Sequence, residues 1–536
     1  MGNYVNPTND CFLEALNSSM YVDKTGLISF FNSVLSTKDK EIVFTRPRRF
    51  GKTTACDMLA AYYSEGCDSE TLFKGLEIEK DPSFKEHLNK HPVIYFDLIR
   101  FMLKKDKRKQ VDITKTVERI ETTLINELMQ EYPEAAVHED MDLVDALKAV
   151  SNRSGRRFII IIDEWDMILR EGKDNPALIS HYIDFLRSLF RSSDTGNYLA
   201  GAYMTGILPI IRYNTESALS NFNEYTMLNP EPLGQYIGFT TDEVHAVCQK
   251  FNADEVRMKE WYDGYRIPDV GDVYCPNSVM QAATRRKFSS YWTSTSAMEA
   301  VADYIYLNID GLQDALNDLI DGKEVDIDPD GFENRLDHLD DRDNVLTVMV
   351  HLGYLAYDPE RQTVRIPNFE VRLHLLRAFS KSTNPLFFTR VKRCDEVLKA
   401  TAKMPDPDEQ KIAEILEEIH NERPSRYYND EQALRYTVLT AYTDSPRGRY
   451  ITFEELSSGK GFVDILLLPQ KGLASPPLVV ELKSGASADK AITQIHERDY
   501  VDFLKKMEYR GNVLLVGINY SPDTRKHTCR IEKITL

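Results

Sequence analysis

The sequence predicts a multidomain α/β protein, with a parallel-sheet domain first and a compact α/β domain last. Three observations point there. Over residues 1–220, apolar strand-like runs alternate with amphipathic stretches, as in a parallel α/β domain. One of these runs, Ile42-Val43-Phe44, leads into Thr45-Arg46-Pro47-Arg48-Arg49-Phe50-Gly51-Lys52-Thr53-Thr54, which in turn opens a helical run, Ala55 to Tyr63. Near the other end, Gly461–Leu468 and Leu478–Lys483 read as two strands that carry Asp464, Glu481 and Lys483.

The elements follow in order. A chain of 536 residues exceeds one ordinary domain, and three or four are expected. The strands predicted first are Glu41–Thr45, Val93–Leu98, Phe158–Ile162 and Leu199–Thr205. From residue 221 to 300 the pattern turns helical and reads as a lid, with aromatic turns such as Trp261-Tyr262-Asp263-Gly264-Tyr265. Residues 301–400 read as a winged-helix-like module: helical at Val345–Leu352, a hairpin over Leu355–Val364, and helical again from Phe369 to Phe379. A polar junction spans residues 401–425, and residues 426–536 read helix–strand–strand–strand–helix–strand. There is no internal repeat and no low-complexity tract.

Bulk composition narrows the class. Hydrophobic residues make up 42% and charged residues 28%, as in a globular protein. The net charge of −18 argues against general coating of nucleic acid or anionic membrane, but leaves room for a local basic groove. Seven cysteines are scattered without a C-x-x-C pair, which predicts reduced thiols in a cytoplasmic setting and no zinc knuckle. No signal peptide or membrane-length apolar run is evident.

Gly51-Lys52-Thr53 is the closing half of a phosphate-binding loop, and the strand–loop–helix context is what the motif needs. Lys52 is expected on the β- and γ-phosphates, and Thr53 on Mg²⁺, with Phe50 and Thr54 beside them. Arg46 stands where the motif's first glycine belongs, and arginine lacks glycine's freedom at positive φ. Arg46, Arg48 and Arg49 add three cations beside a polyanion; contact with nucleotide and contact with solvent or a partner both stay open. The second half of the motif is Arg157-Phe158-Ile159-Ile160-Ile161-Ile162-Asp163-Glu164, an apolar strand that delivers two acids. Asp163 is expected to hold Mg²⁺ and Glu164 to orient or deprotonate the attacking water. Thr205, at the end of the fourth strand, is either a sensor of the γ-phosphate or an ordinary strand-end turn.

In the C-terminal domain Glu481 and Lys483 lie two apart on one strand, so both side chains share a face. With Asp464 on the preceding strand they form the metal-and-lysine pattern of PD-(D/E)xK nucleases. Asp464 and Glu481 are expected to bind Mg²⁺, and Lys483 to stabilise developing charge on a phosphodiester. Glu431 opens a helix whose Leu434, Val438 and Tyr442 mark its face, and is a further candidate for the metal site; Gln494 and Tyr500 border it. The alternative for Glu481 and Lys483 is a solvated surface pair. Histidines 351, 374 and 496 read as core or surface residues, the acids of Asp326–Asp343 as a solvated face, and Trp261–Tyr265 as a packed turn.

Tyr21-Val22-Asp23-Lys24-Thr25, the R-P-R-R-F-G-K-T run, Ile162-Asp163-Glu164-Trp165-Asp166, Met204-Thr205-Gly206, Gly238-Phe239-Thr240, Trp261–Tyr265 and Tyr291-Trp292-Thr293-Ser294-Thr295-Ser296 together resemble the AAA-ATPase-like family, whose members often end in a PD-(D/E)xK nuclease-like domain. Trp165 in place of tyrosine, and Cys275-Pro276 in place of Asn-Pro, depart from the family pattern. The resemblance makes the arginine-rich loop the norm. It implies an α/β fold class: a P-loop NTPase (AAA/STAND-like) parallel-sheet domain with a helical lid, a winged-helix-like middle and a restriction-endonuclease-like end. ATP and Mg²⁺ are the expected cofactors, nucleotide and DNA or RNA the expected partners, with no membrane; self-association stays open. It also implies mobile-element or defence biology. A nucleotide-gated scaffold with a silent nuclease-like end is the main rival, and a nuclease whose loop binds nucleotide only structurally is the second. A small-molecule kinase is disfavoured, because no acceptor-binding motif is evident.

Overall fold

The computed structural model describes the chain apart from residues 1, 103–112, 173–174, 192–193, 211, 214–215, 218, 293–308, 334–338, 340, 381–392, 395, 402, 404–405, 422–430, 444–449 and 470–474, and apart from some side chains within helices and strands. Two compact units result, Met1–Val371 and Arg372–Leu536.

The first unit is built on a five-stranded sheet of β1 (Glu41–Thr45), β2 (Val93–Asp97), β3 (Phe158–Asp163), β4 (Leu199–Gly206) and β5 (Asn223–Tyr225), in the order β2-β3-β4-β1-β5. All its pairings are parallel. Parallel strands are covered on both faces, so they read as unbroken apolar runs. In β3, Phe158, Ile160 and Ile162 enter one core with α2 (Thr116–Glu131), α3 (Leu143–Ser154) and α5 (Pro176–Phe190). Ile159 and Ile161 enter the opposite core, with α1 (Lys52–Tyr63). Between β3 and α5 lies the short α4 (Met167–Glu171).

β5 is a correction, since the pattern from residue 221 reads as helical. Asn-Glu-Tyr has no apolar alternation, and register with Ile42–Phe44 of β1, rather than local propensity, makes it a strand.

A three-stranded sheet follows, of β6 (Phe239–Thr240), β7 (Tyr265–Ile267) and β8 (Gly271–Tyr274), with α6 (Thr241–Phe251), α7 (Glu255–Tyr262) and α8 (Pro276–Arg285). Thr240 and Glu243 form a capping box at the start of α6. Glu243 also takes Lys24 Nζ at 2.6 Å, which ties the Tyr21–Thr25 segment to the start of α6. Trp261 and Tyr262 are buried, and Trp261 meets Phe369 edge-on at 4.7 Å, so this is a packed turn. Gly264 is required there: its φ is 106°, and a Cβ would fall 2.0 Å from Pro367 O.

Next come α9 (Arg342–His351), a hairpin of β10 (Ala356–Asp358) and β11 (Thr363–Arg365), and α10 (Phe369–Ser380). β9 (Val325–Asp326) adds a third strand to the hairpin. Residues Thr293–Ser296 lie outside the described residues.

The second unit carries a five-stranded sheet in chain order: β12 (Tyr450–Ser458), β13 (Gly461–Pro469), β14 (Leu478–Ser484), β15 (Asn512–Ser521) and β16 (Lys526–Thr535). Only β14 and β15 are parallel, and α13 (Ala488–Glu497) with the short α14 (Asp502–Lys506) makes their crossover. α11 (Glu409–Asn421) and α12 (Glu431–Thr443) share a core with Ile465, Leu467, Val480 and Leu482. β16 goes beyond the single closing strand expected; its Lys-His-Thr-Cys-Arg-Ile-Glu-Lys run is a polar edge strand, visible only through its pairing with β15.

Candidate functional site

The phosphate-type loop leaves β1 at the C-terminal edge of the sheet, where β4 lies on one side and β5 on the other. Ligands of open parallel sheets bind at such edges. Gly51 has φ 99° and precedes α1, while Arg49, at φ 67°, carries the loop's other positive φ. Arg46 has none, so the glycine missing from the motif's first position is not needed by this backbone.

The three arginines part company. Arg46 is fully buried; its Nη1 donates to Thr45 O at 2.9 Å and Thr226 O at 2.8 Å, and its guanidinium lies 4.5 Å from the Phe44 ring centroid. Burial pushes its pKa down to about 9, and Nε and Nη2 have no partner among the described residues. Arg48 is half-buried, and Arg49 is exposed with Nη1 on Tyr291 O at 3.1 Å. Phe50 turns inward: it is 1% exposed, meets Tyr265 edge-on at 5.4 Å, and its carbonyl accepts from Gly238 N. It anchors the loop to the three-stranded sheet. Thr54 is exposed on α1.

The second half of the motif meets the first. Thr53 Oγ1 donates to Asp163 Oδ2 at 2.6 Å, and Asp163 Oδ1 accepts from Glu164 N at 2.9 Å. Lys52 is buried, with Nζ on Pro47 O at 3.1 Å; burial lowers its pKa, and Glu164 and Asp163 oppose that. Asp163 is pushed up to about 7, mainly by burial. Thr205 is buried, and its hydroxyl donates to Phe44 O at 2.8 Å. It stands level with Asp163 in the sheet.

Two groups here escaped the sequence. Arg170 on α4 ion-pairs with Glu164 through Nη2, and its Nε reaches Asp166 Oδ2 at 2.8 Å. Asp166 is fully buried and accepts from Leu208 N at 2.9 Å. Arg170 and Asp166 are four apart, a helical spacing that could have flagged the pair. Glu164 itself sits at φ 52°, an unusual conformation for glutamate. Asp97, at the end of β2, is level with Asp163, and its pKa is raised chiefly by burial. The departures from the family pattern are structural: Trp165 is buried with Nε1 on Leu208 O at 3.1 Å, and Cys275 is buried at the residue before α8.

In the second unit Asp464, Glu481, Lys483, Gln494 and Tyr500 come together. The β13–β14 ladder ends at Ile465–Val480. One residue on, Asp464 Oδ2 accepts from Leu482 N at 2.7 Å, so a carboxylate replaces the next ladder carbonyl. Glu481 is 2% exposed. Its Oε1 accepts from Lys483 Nζ at 2.7 Å and from Gln494 Nε2, and Gln494 Nε2 donates also to Tyr500 Oη at 3.1 Å. The Glu481–Lys483 pair is therefore no solvated surface pair. Burial raises the Glu481 pKa to about 7, with Lys483 opposing and Asp464 adding to the rise. Its Oε2 is buried without a partner among the described residues.

Arg435 on α12 was not anticipated; it approaches Asp464 Oδ1 at 3.5 Å and pairs with Glu455. Glu431 begins the same helix one turn earlier, and its side chain lies outside the described residues. Among the described residues no cage of three or more His, Cys, Asp or Glu side chains forms. Mg²⁺ is held by one or two carboxylates and completes its octahedron with water and substrate oxygens. The orphaned Glu481 Oε2 beside Asp464 fits such a cation, as does the Thr53–Asp163 pair.

Raised carboxyl pKa values make a stability prediction. Asp163 and Glu481, both near 7, hold a proton in the fold that the unfolded chain has already released. Their contribution favours folding at low pH and falls as pH rises from about 4 through 7. In EDTA, wild type therefore loses melting temperature relative to Glu481→Gln between about pH 5 and pH 8. Added Mg²⁺ narrows that gap at the upper end. Parallel melting curves for the two proteins would refute the assignment.

Residues 14–215 match the model of a family described as "Predicted AAA-ATPase", and residues 429–529 match that of the PD-(D/E)XK nuclease superfamily. Over 531 residues the chain is 22% identical to an uncharacterized protein of the vnfD 5′ region of Azotobacter chroococcum mcd 1, covering 94% of this chain and 93% of that one. Structures of the Aeropyrum pernix ORC2 protein are similar at a lower level. The ADPNP–ADP complexes align with TM-score 0.31 and 13% identity, the ADP form with 0.27 and 12%; both cover 69% of this chain and 98% of theirs. No described helix is long and apolar enough to cross a membrane.

Proposed function

We propose that this chain, which joins an AAA-ATPase-like domain to a PD-(D/E)XK nuclease-superfamily domain, binds and hydrolyses ATP to control Mg²⁺-dependent cleavage of nucleic acid. One observation carries most of the weight. Glu481 keeps one carboxylate oxygen engaged by Lys483 and Gln494, and the other buried beside Asp464 with no partner among the described residues. An unpaired buried acceptor costs stability, and a surface pair has no reason to bear that cost.

At this site Asp464 and Glu481 hold the metal, with Glu431 as the further candidate. Bound Mg²⁺ supplies Lewis-acid polarisation of the phosphodiester and a more acidic water. Lys483 places a cation where negative charge develops on the phosphate. Gln494, oriented by Tyr500, fixes the rotamer of Glu481.

In the first unit Lys52, Gly51 and the start of α1 receive phosphates, with Arg48, Arg49 and Thr54 at the rim. Thr53 and Asp163 hold Mg²⁺, and Glu164 orients the attacking water. Thr205 supports the γ-phosphate end of the site through the β1 carbonyl it holds. Arg46 and Phe50 act from behind the loop, fixing its backbone. The residues 301–400 module couples the ATPase to the nuclease or holds nucleic acid, in a cytoplasmic setting that suits mobile-element or defence work.

The deciding experiment incubates the full chain and Lys52→Ala with Mg²⁺, with and without ATP, on single- and double-stranded DNA and RNA. ATP is expected to change the cleavage rate of wild type and not of Lys52→Ala. Equal response of both proteins sinks the coupling, and absence of cleavage on every nucleic acid favours a nucleotide-gated scaffold instead.

A further inference from the structure

The tip of the β12–β13 hairpin presents an aromatic ring two residues ahead of Asp464 on β13. Phe462 is 63% exposed, and among the described residues no other phenylalanine is exposed. A lone exposed apolar side chain is ordinary on a folded protein. What distinguishes this one is how firmly its backbone is held, and where.

Ser458 pairs with Gly461 across the turn, and Gly459 sits at φ 60°. A Cβ on Gly459 would fall 2.1 Å from Arg498 O and 2.4 Å from Asp499 O, so the tip is pressed onto the turn after α13. Lys460 N donates to Arg498 O at 2.8 Å, and Ser458 Oγ donates to Tyr500 O at 2.9 Å while accepting from Phe503 N at 3.0 Å. That same turn leads back to the acids. A Cβ on Gly461 would lie 3.2 Å from Tyr500 Oη, which accepts from Gln494, which in turn donates to Glu481. Along β13 Asp464 follows two residues after Phe462, roughly 7 Å of strand. Lys460, at the tip, and Arg498, in the turn it packs on, are both exposed.

We propose that Phe462 is a base-stacking platform that selects an unpaired nucleotide beside the scissile phosphate, which makes the substrate of this unit single-stranded nucleic acid. The inference rests on the nuclease reading above. Inside a duplex each base has both faces covered by its neighbours, so a single ring on a hairpin tip finds a free face only where bases are unstacked. Lys460 and Arg498 supply local cations for the adjoining phosphates. A chain of net charge −18 lacks the broad positive field that holds a duplex without sequence preference, so contacts that do not depend on charge carry more of the affinity.

The test uses the full-length chain with Lys483→Ala, which leaves substrate uncut, and follows the anisotropy of a fluorescein-labelled single strand and of its blunt duplex in Mg²⁺. Adding Phe462→Ala is expected to weaken single-strand binding about 5- to 150-fold, leaving duplex binding and the salt slope unchanged. Phe462→Trp restores the affinity and Phe462→Leu does not. Unchanged single-strand affinity, full rescue by leucine, or an equal loss on duplex overturns the proposal. A different failure identifies the nuclease reading itself: strands bound through Phe462 that the chain with Lys483 intact does not cut in Mg²⁺.

Discussion

Lys483→Ala lowers nucleic-acid cleavage about 100- to 1,000-fold, with ATP turnover at the wild-type rate. The lysine has two effects that the substitution removes together. Its ammonium is, among the described residues, the cation nearest the carboxylate pair, 2.7 Å from Glu481 Oε1, and it places positive charge where the phosphodiester gains negative charge. It also holds down the pKa of Glu481, which burial and Asp464 raise to about 7. Without Lys483 the carboxyl releases its proton only at higher pH, so the residual activity rises at a higher pH than in wild type. Lys483 is itself partly exposed, and the buried Glu481 takes up a proton once its cation is gone, so the loss stays below that of a fully buried pair and the fold survives. Circular dichroism melting and a pH–rate profile check both halves. Cleavage at wild-type rate, or lost activity with an unmoved profile, would remove Lys483 from the chemistry.

Much of this site was legible because its chemistry is local in sequence. Asp464, Glu481 and Lys483 sit on two neighbouring strands, and a spacing of two fixes their shared face; the loop, with Asp163-Glu164, is equally compact. What stayed hidden depends on distant packing. Arg435 reaches Asp464 across 29 positions, and the inward turn of Arg46 depends on the carbonyl of Thr226, 180 positions away. β5 and β16 have polar sequences, and their neighbours decide them. Arg46 in place of the motif's first glycine leaves the loop's shape open, because sequence shows residue type and not φ; the positive φ values fall on Arg49 and Gly51.

Glu164→Gln and Arg170→Ala are expected to fail in opposite ways, and the contrast tests the acid assigned to hydrolysis. Glu164 lies at the mouth of the loop with its side chain 14% exposed, near enough to Lys52 to raise the lysine's pKa. Glutamine keeps the shape and the hydrogen bond from Arg170 but cannot accept a proton from water. Turnover of ATP then falls about 100- to 10,000-fold while binding persists. Arg170 joins Glu164 to Asp166, and Asp166 is fully buried with backbone amides of Ile207 and Leu208 on it. Alanine at 170 leaves that buried carboxylate without its cation, a loss of about 3–5 kcal/mol in comparable pairs. Arg170→Ala therefore unfolds at lower denaturant, whereas Glu164→Gln melts with wild type and retains ATP on a gel-filtration column. If Glu164→Gln turns over ATP normally, the acid that activates water lies elsewhere, and Asp97, level with Asp163 at the end of β2, is the next to replace.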